Sequence, residues 1–250
     1  MIQIYKTVLY QPLLNLLVFL HNILPGHDLG LAIIIVTIII RLILWPLSQK
    51  SVRSQKALQD LQPKLKSLQE KYKQDKQKLA AAMMELYREN KINPFSSFLP
   101  LLIQFPILIA VYQVFLNGLK STQLVLYSFI HNPGALNNVA FGFLNLSKPN
   151  LILAVITGAI QYWQTKMLVK STPPAAVAGK TGAKDEGVMA IMNKQMSVMM
   201  PLLTVFIGIA LPSGLMIYWL VGLLLTVLQQ KLVFKQSTNA QSTSNTTPNK

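Results

Sequence analysis

Apolar residues arrive in five long runs separated by polar stretches. Residues 29–47, LGLAIIIVTIIIRLILWPL, contain a single charge. At 1.5 Å per helical residue they cover most of a hydrocarbon core about 30 Å thick. Similar runs occupy 98–118, 151–168, 196–211 and 213–234, with Pro212-Ser213-Gly214 as a turn signal between the last two. Each predicts a membrane-crossing helix. With their flanking turn residues the five spans are 26–47, 98–118, 151–168, 196–211 and 212–235. The fourth is short for a span, and is expected to sit in locally thinned bilayer or to pack as half of a hairpin.

Two other stretches have helical spacing without continuous apolarity. In 5–24, Leu9, Leu13, Leu16, Leu20 and Leu24 recur on one face while Gln11, Asn15 and Asn22 fall elsewhere. This predicts an N-terminal amphipathic helix within 1–25, lying on the membrane surface; the rival is a signal-anchor span that turns at Pro25-Gly26. Within 48–97, Leu58, Leu61, Leu65, Leu68 and Tyr72 step by 3, 4, 3 and 4 residues and form a seam. A second periodic stretch, 77–90, follows the polar run Lys73-Gln74-Asp75-Lys76, so an antiparallel helical hairpin is expected. Pro63 should kink or restart its first helix. The fold class is thus an all-α polytopic membrane protein with a five-helix core.

Composition agrees with a membrane class, since 52% of residues are hydrophobic and only 12% charged. The net charge of +15 raises the possibility of nucleic acid, but its distribution gives another reason. Loops 48–97 and 169–195, the edge residue Lys166 and the stretch from 231 carry nineteen Lys and Arg, against three (Lys6, Lys120 and Lys148) on the alternate side. The positive-inside rule therefore assigns 48–97, 169–195 and the C-terminus to the cytoplasm and 119–150 to the outside. Topology explains most of the charge, and no dedicated nucleic-acid site is expected. The hairpin's charged face is either a solvated topology device or a docking arm for another macromolecule, rRNA-rich or otherwise. Residues 169–187 read as a flexible linker, and the tail 236–250 as disordered.

Arg41 is the most informative residue, because a guanidinium at helix depth costs about 2.5–3.5 kcal/mol on insertion scales. It stands six residues from the cytoplasmic end of its span, from where snorkelling to the headgroups is one reading. Gln104 and Gln161 lie at a similar depth on spans two and three. Thr37, Arg41, Trp45 and Ser48 share one face; Thr157, Gln161, Gln164 and Thr165 share another. No span contains Asp or Glu to neutralise the Arg. The preferred reading is a hydrated groove, open to the cytoplasm and closed to the outside, lined by Arg41, Thr37, Gln104, Gln161 and Gln164. Met192, Met196, Met199 and Met200 suit either a soft client surface or ordinary packing.

Covalent chemistry finds no support. Cysteine is absent, and the three His residues show no ligand spacing. Gly179-Lys180-Thr181 lacks the first Gly and the preceding strand of a phosphate loop. An enzyme is not expected, nor is a cofactor or metal.

Several local patterns then resemble the YidC/Oxa-type membrane-protein insertases, in the family's order: TIIIRLILWPL at 37–47, LQPKLKSLQEKYKQD at 61–75, ELYRENKINP at 85–94 leading into PLLIQFPILIAVYQ at 100–113, FLNLSKPNLIL at 143–153, and PSGLMIYW at 212–219 followed by Gln229-Gln230. The resemblance covers residues 25–234 and looks like a short bacterial form. It implies a five-helix core with an Arg-bearing groove that receives hydrophilic stretches of a client, with Arg41 as the groove Arg, Gln161 as the polar residue of span three, and Tyr218 and Trp219 as the aromatic pair of span five. The family's Asn after that pair is replaced here by Val221-Gly222-Leu223. Implied partners are nascent membrane-protein clients, lipid, the ribosome, the signal recognition particle pathway and the Sec translocon, in a bacterial plasma or inner membrane. The rival class is a small transporter or channel subunit that binds an anionic solute in the same cavity.

Overall fold

The computed structural model describes residues 2–93, 99–120, 125–134, 136–169 and 198–244, and is mostly helical. The chain divides into two compact units. The first comprises Met1–Trp45, Leu101–Gln161 and Leu202–Leu225; the second comprises Pro46–Pro100, Tyr162–Pro201 and Thr226–Lys250.

The first unit begins with α1 (Ile2–Tyr5), a π-helical turn over Lys6–Tyr10 and α2 (Gln11–Ile23). Pro12 has no N–H for the turn behind it and its ring presses on the carbonyl four residues back, which accounts for the widened turn. The chain reverses at Pro25-Gly26-His27, and Asp28 caps α3 (Leu29–Ile43) by accepting the Leu31 N–H. The buried face of α2 differs from the expected leucine stripe. Leu20 is buried, but Leu9, Leu13, Leu16 and Leu24 are only partly so, while Leu14, Leu17 and Val18 are enclosed. Asn15, expected on a polar outer face, is buried too: it donates to the Gln11 carbonyl (2.8 Å) and accepts the Tyr127 N–H (2.7 Å). Asn22 donates to the His131 carbonyl (2.7 Å). The loop that follows α7 brings backbone groups against α2, and these amides satisfy them.

Residues 29–47 predicted one helix, yet α3 closes at Leu44 and α4 (Trp45–Asp60) starts anew. Pro46 is the reason, since it cannot donate to the Leu42 carbonyl. Arg41 consequently sits in the last turn of α3. Trp45 and Ser48 belong to the next helix and do not extend the Arg41 face along α3.

The remaining helices are α7 (Leu99–Lys120), α8 (Leu151–Val169), α9 (Val198–Gly208) and α10 (Ser213–Ser244). Within α10, Ser213–Lys235 is long and apolar enough to cross a membrane unbroken. The apolar stretch of α3 reaches that length only when joined to α4, and Leu102–Gly118 and Val198–Gly208 are shorter apolar helices. The core of the first unit gathers Leu14, Leu17, Ile33, Val36, Val111 and Phe115, with Leu215 and Ile217 of α10. A minimal antiparallel ribbon, β1 (Val139–Ala140) with β2 (Leu144–Asn145), lies in the loop before α8, with Val139 opposite Asn145 and Ala140 opposite Leu144.

In the second unit, α5 (Gln62–Lys71) and α6 (Lys76–Glu89) pack together across the turn Tyr72–Asp75. Pro63 stands in the first turn of α5, where its missing N–H costs nothing, and the helix restarts there. Of the seam residues, Leu61 and Leu65 are buried, while Leu58, Leu68 and Tyr72 are partly buried. Asp75 caps α6 by accepting the Lys78 N–H at 3.0 Å. Elsewhere in the unit Ser48 donates to Gln229 Oε1 (3.0 Å), Gln59 to the Met167 carbonyl (3.3 Å), and Lys231 lies over the Trp163 ring. The tail expected to be disordered is helical as far as Ser244. It contains no Gly or Pro before Pro248, and a preformed helix extends at one hydrogen bond per residue fixed. The expected linker at 169–187, beyond Val169, and Met192 and Met196 lie outside the described residues.

Candidate functional site

The first unit brings three of the candidate polar residues together through α10. Tyr218 and Gly222 are one turn apart on that helix, so they share a face. The Tyr218 ring is 2% exposed, and its hydroxyl oxygen accepts from Gln104 Nε2 at 2.8 Å, which ties α7 to α10. Arg41 is an electrostatic neighbour of Tyr218. Its guanidinium lies on the backbone of Gly222: a Cβ there would stand 2.7 Å from Nη2 and 3.3 Å from Nε. Only a residue without a side chain admits this approach. Gly222, in the apolar-looking Val221-Gly222-Leu223 run, is thus the seat of the Arg.

A second polar link joins α8 to α9. Thr204, buried in an otherwise apolar helix, donates to Gln161 Oε1 at 2.6 Å. Where a hydrogen bond of this kind joins helices inside a bilayer, it contributes about 0.6 kcal/mol on average and up to about 1.7.

The electrostatics of the unit are one-sided. Its sequence contains one acid, Asp28, thirteen residues from Arg41. That separation is about 20 Å along a helix axis. The Asp28 carboxylate is engaged by the N–H groups of Leu31 and Phe141. Among the described residues no carboxylate forms an ion pair with Arg41.

Other candidates lie elsewhere. Thr37 is fully buried and donates to the Ile33 carbonyl (2.7 Å), so its proton is committed within α3. Trp219 is partly buried and, as the residue next to Tyr218, faces another direction. Gln164 is partly buried in the second unit, as is Ser48. Sequence reasoning missed Thr204 and Gly222. The signal for Thr204 was present as a lone hydroxyl within 198–211; Gly222 acts by lacking a side chain, which a search for polar groups passes over. Among the described residues no group of three His, Asp or Glu could hold a metal ion.

Comparison with known proteins places this geometry in a family. The family model described as 60Kd inner membrane protein matches residues 19–241. A protein of Clostridium tetani (strain Massachusetts / E88) named Membrane protein insertase YidC is 39% identical over 219 residues, covering 86% of this chain and 87% of that one. One of the same name from Francisella tularensis subsp. novicida (strain U112) is 36% identical over 204 residues, covering 82% of this chain and 32% of its own length. A solved structure, titled "Active YidC insertase crystal structure with the first transmembrane domain resolved", is similar with a TM-score of 0.59 and 28% identity, over 90% of this chain and 45% of that chain. The chain therefore spans most of the Clostridium relative, about a third of the Francisella one and under half of the solved chain. On these grounds the chain belongs to the 60Kd inner membrane protein family and is a bacterial membrane protein.

Proposed function

We propose that this chain is a membrane-protein insertase that helps client transmembrane segments into the bilayer. The observation that carries the reading is the seat of Arg41: a fixed cation held on Gly222 beside the Tyr218–Gln104 pair, in a unit whose one acid lies at the far end of α3. Such a cation attracts acidic residues in the polar segment of a client. Its position in the last turn of α3 supports a groove that is hydrated and open on the cytoplasmic side. Toward Asp28 the unit is apolar core, including Leu17, Ile33, Val111 and Phe115, which supports closure on the opposite side.

In this reading five spans cross the membrane, with α4 to α6 and the C-terminus in the cytoplasm, following the Lys and Arg distribution. The residues that line the groove in this reading are Arg41, Gln104, Gln161 and Tyr218. Partition of the client helix into lipid supplies the free energy. Outward movement of an acidic charge along a 100 mV potential adds roughly 2.3 kcal/mol. No nucleotide or cofactor takes part. The insertase name of the Clostridium and Francisella relatives supports the activity, and ribosome, signal recognition particle pathway and Sec translocon are proposed partners alongside nascent clients and lipid.

Reconstitution of the purified chain in protein-free liposomes tests this directly. Protease-protected insertion of a single-span client, without nucleotide and without anion flux, is the expected result. Anion flux without insertion would favour a transporter or channel subunit instead.

A further inference from the structure

Residues 125–134 and 136–150, between α7 and α8, form a built, two-faced layer. Its inner face buries Ile130, Leu136, Ala140 and Leu146 in the first unit. Its backbone is fastened at several points by polar groups of the helices: the Tyr127 N–H by Asn15, the His131 carbonyl by Asn22, and the Phe141 N–H by Asp28. Gly30 lets the ribbon press on α3, since a Cβ there would stand 2.5 Å from the Ala140 Cβ. The N–H and hydroxyl of Ser213 both bind the Lys148 carbonyl at the start of α10. Despite these anchors, the exposed face carries large apolar side chains beside polar ones such as His131, Asn132, Asn137 and Lys148. Phe143 is 81% exposed, Phe129 77% and Val125 70%. A loop this firmly held does not expose such side chains for want of packing, and exposed apolar patches mark interaction surfaces.

We infer that this aromatic face is an interfacial anchor that sits at the headgroup–acyl boundary of the bilayer. Three features select lipid as the occupant. The layer holds the first residues of α3 and α10 and runs directly into α8, so it stands where apolar helices begin. Its exposed rings continue into Leu151 and Ile152, which are strongly exposed on the first turn of α8. Residues 125–150 contain no acid, while His131 and Lys148 are compatible with phosphate headgroups. Aromatic side chains are enriched at this depth because an apolar ring beside polar backbone matches the boundary. The inference rests on membrane residence, not on insertase activity, so the two fail separately.

The absence of cysteine makes a site-directed test clean. Phe129→Cys and Phe143→Cys, each carrying a nitroxide label, are compared with labelled Ser67→Cys as a water reference in the full chain. The probe is a liposome of phosphatidylethanolamine and phosphatidylglycerol, and the readout is collision with oxygen against a water-soluble nickel chelate. Both parent side chains are mostly exposed, so the labels displace little packing. The oxygen-to-nickel ratio at 129 and 143 is expected to exceed that at 67 severalfold. A ratio equal to the Ser67 value at both sites would overturn the anchor. Low collision with both reagents would also overturn it, and would mean that protein, such as a second copy, covers the face.

Discussion

Arg41 of α3 rests on the backbone of Gly222 of α10, so closely that a methyl group at residue 222 would stand 2.7 Å from Nη2. A guanidinium in this position has its direction set by the opposing helix. Gly222→Ala therefore pushes the flexible end of Arg41 aside. Alanine favours the helix over glycine by about 1 kcal/mol, so α10 itself is not weakened by propensity. Insertion of clients with acidic translocated tails is expected to fall severalfold while the chain stays folded, and a parallel thermal-unfolding scan checks the latter. Full insertion by folded Gly222→Ala would mean that the seat of Arg41 does not matter.

The Gln104–Tyr218 bond gives a coupling that can be measured. Tyr218→Phe removes the acceptor and leaves the Gln104 amide in a partly buried site. A double-mutant cycle with Gln104→Leu, read by thermal or denaturant unfolding in detergent, is expected to give about 0.6–1.7 kcal/mol of interaction. Strict additivity would show that the bond does not hold α7 to α10 in solution.

Asp75 should make the start of α6 pH-sensitive. The Lys78 backbone N–H, then the Lys78 side chain, holds its carboxyl below the ordinary carboxylate range. A lowered folded-state value means that the contribution is present above the unfolded pKa of about 3.9 and is lost as pH falls through the folded value. Hydrogen-exchange protection of the first turn of α6 should accordingly decline below about pH 4, and Asp75→Asn, still a good cap, should abolish that dependence. The same decline in the Asn variant would assign the effect to another group.

Topology is open to labelling in the cysteine-free chain. A cysteine at Ser67 should react only with reagent that has entered the cytoplasm, and one at Asn137 with reagent outside, because Lys and Arg are concentrated on the Ser67 side. Reaction at Ser67 in intact cells from the outside would reverse the orientation.

What the sequence disclosed, and what it did not, follows the range of the interactions involved. Helical periodicity and the restart at Pro63 are local, and the elements around them appear where the pattern put them. The apolar run through 47 masked the stop that Pro46 imposes at Leu44, which leaves Arg41 in the last turn of its helix. Asn15 and Asn22 looked like the wet side of an amphipathic helix because their partners, the Tyr127 N–H and the His131 carbonyl, lie more than a hundred residues away. Polarity alone does not say whether an amide meets water or a distant backbone group. Gly222 escaped notice for the complementary reason: its contribution is space, and space becomes visible only when Arg41 fills it.

The central claim is that Arg41 acts through its charge on the polar part of a client. Unit charges 4 Å apart attract by about 1 kcal/mol in water and about 4 kcal/mol at an effective dielectric of 20, and each 1.4 kcal/mol is about tenfold. The decisive measurement is insertion into liposomes by the parent chain, Arg41→Lys and Arg41→Ala, with paired clients that differ only in having acidic or neutral translocated tails. Arg41→Lys is expected to keep much of the activity, and Arg41→Ala to lose about tenfold or more with the acidic client and little with the neutral one. Equal losses for the two clients would contradict the electrostatic account and leave Arg41 as a packing residue between α3 and α10.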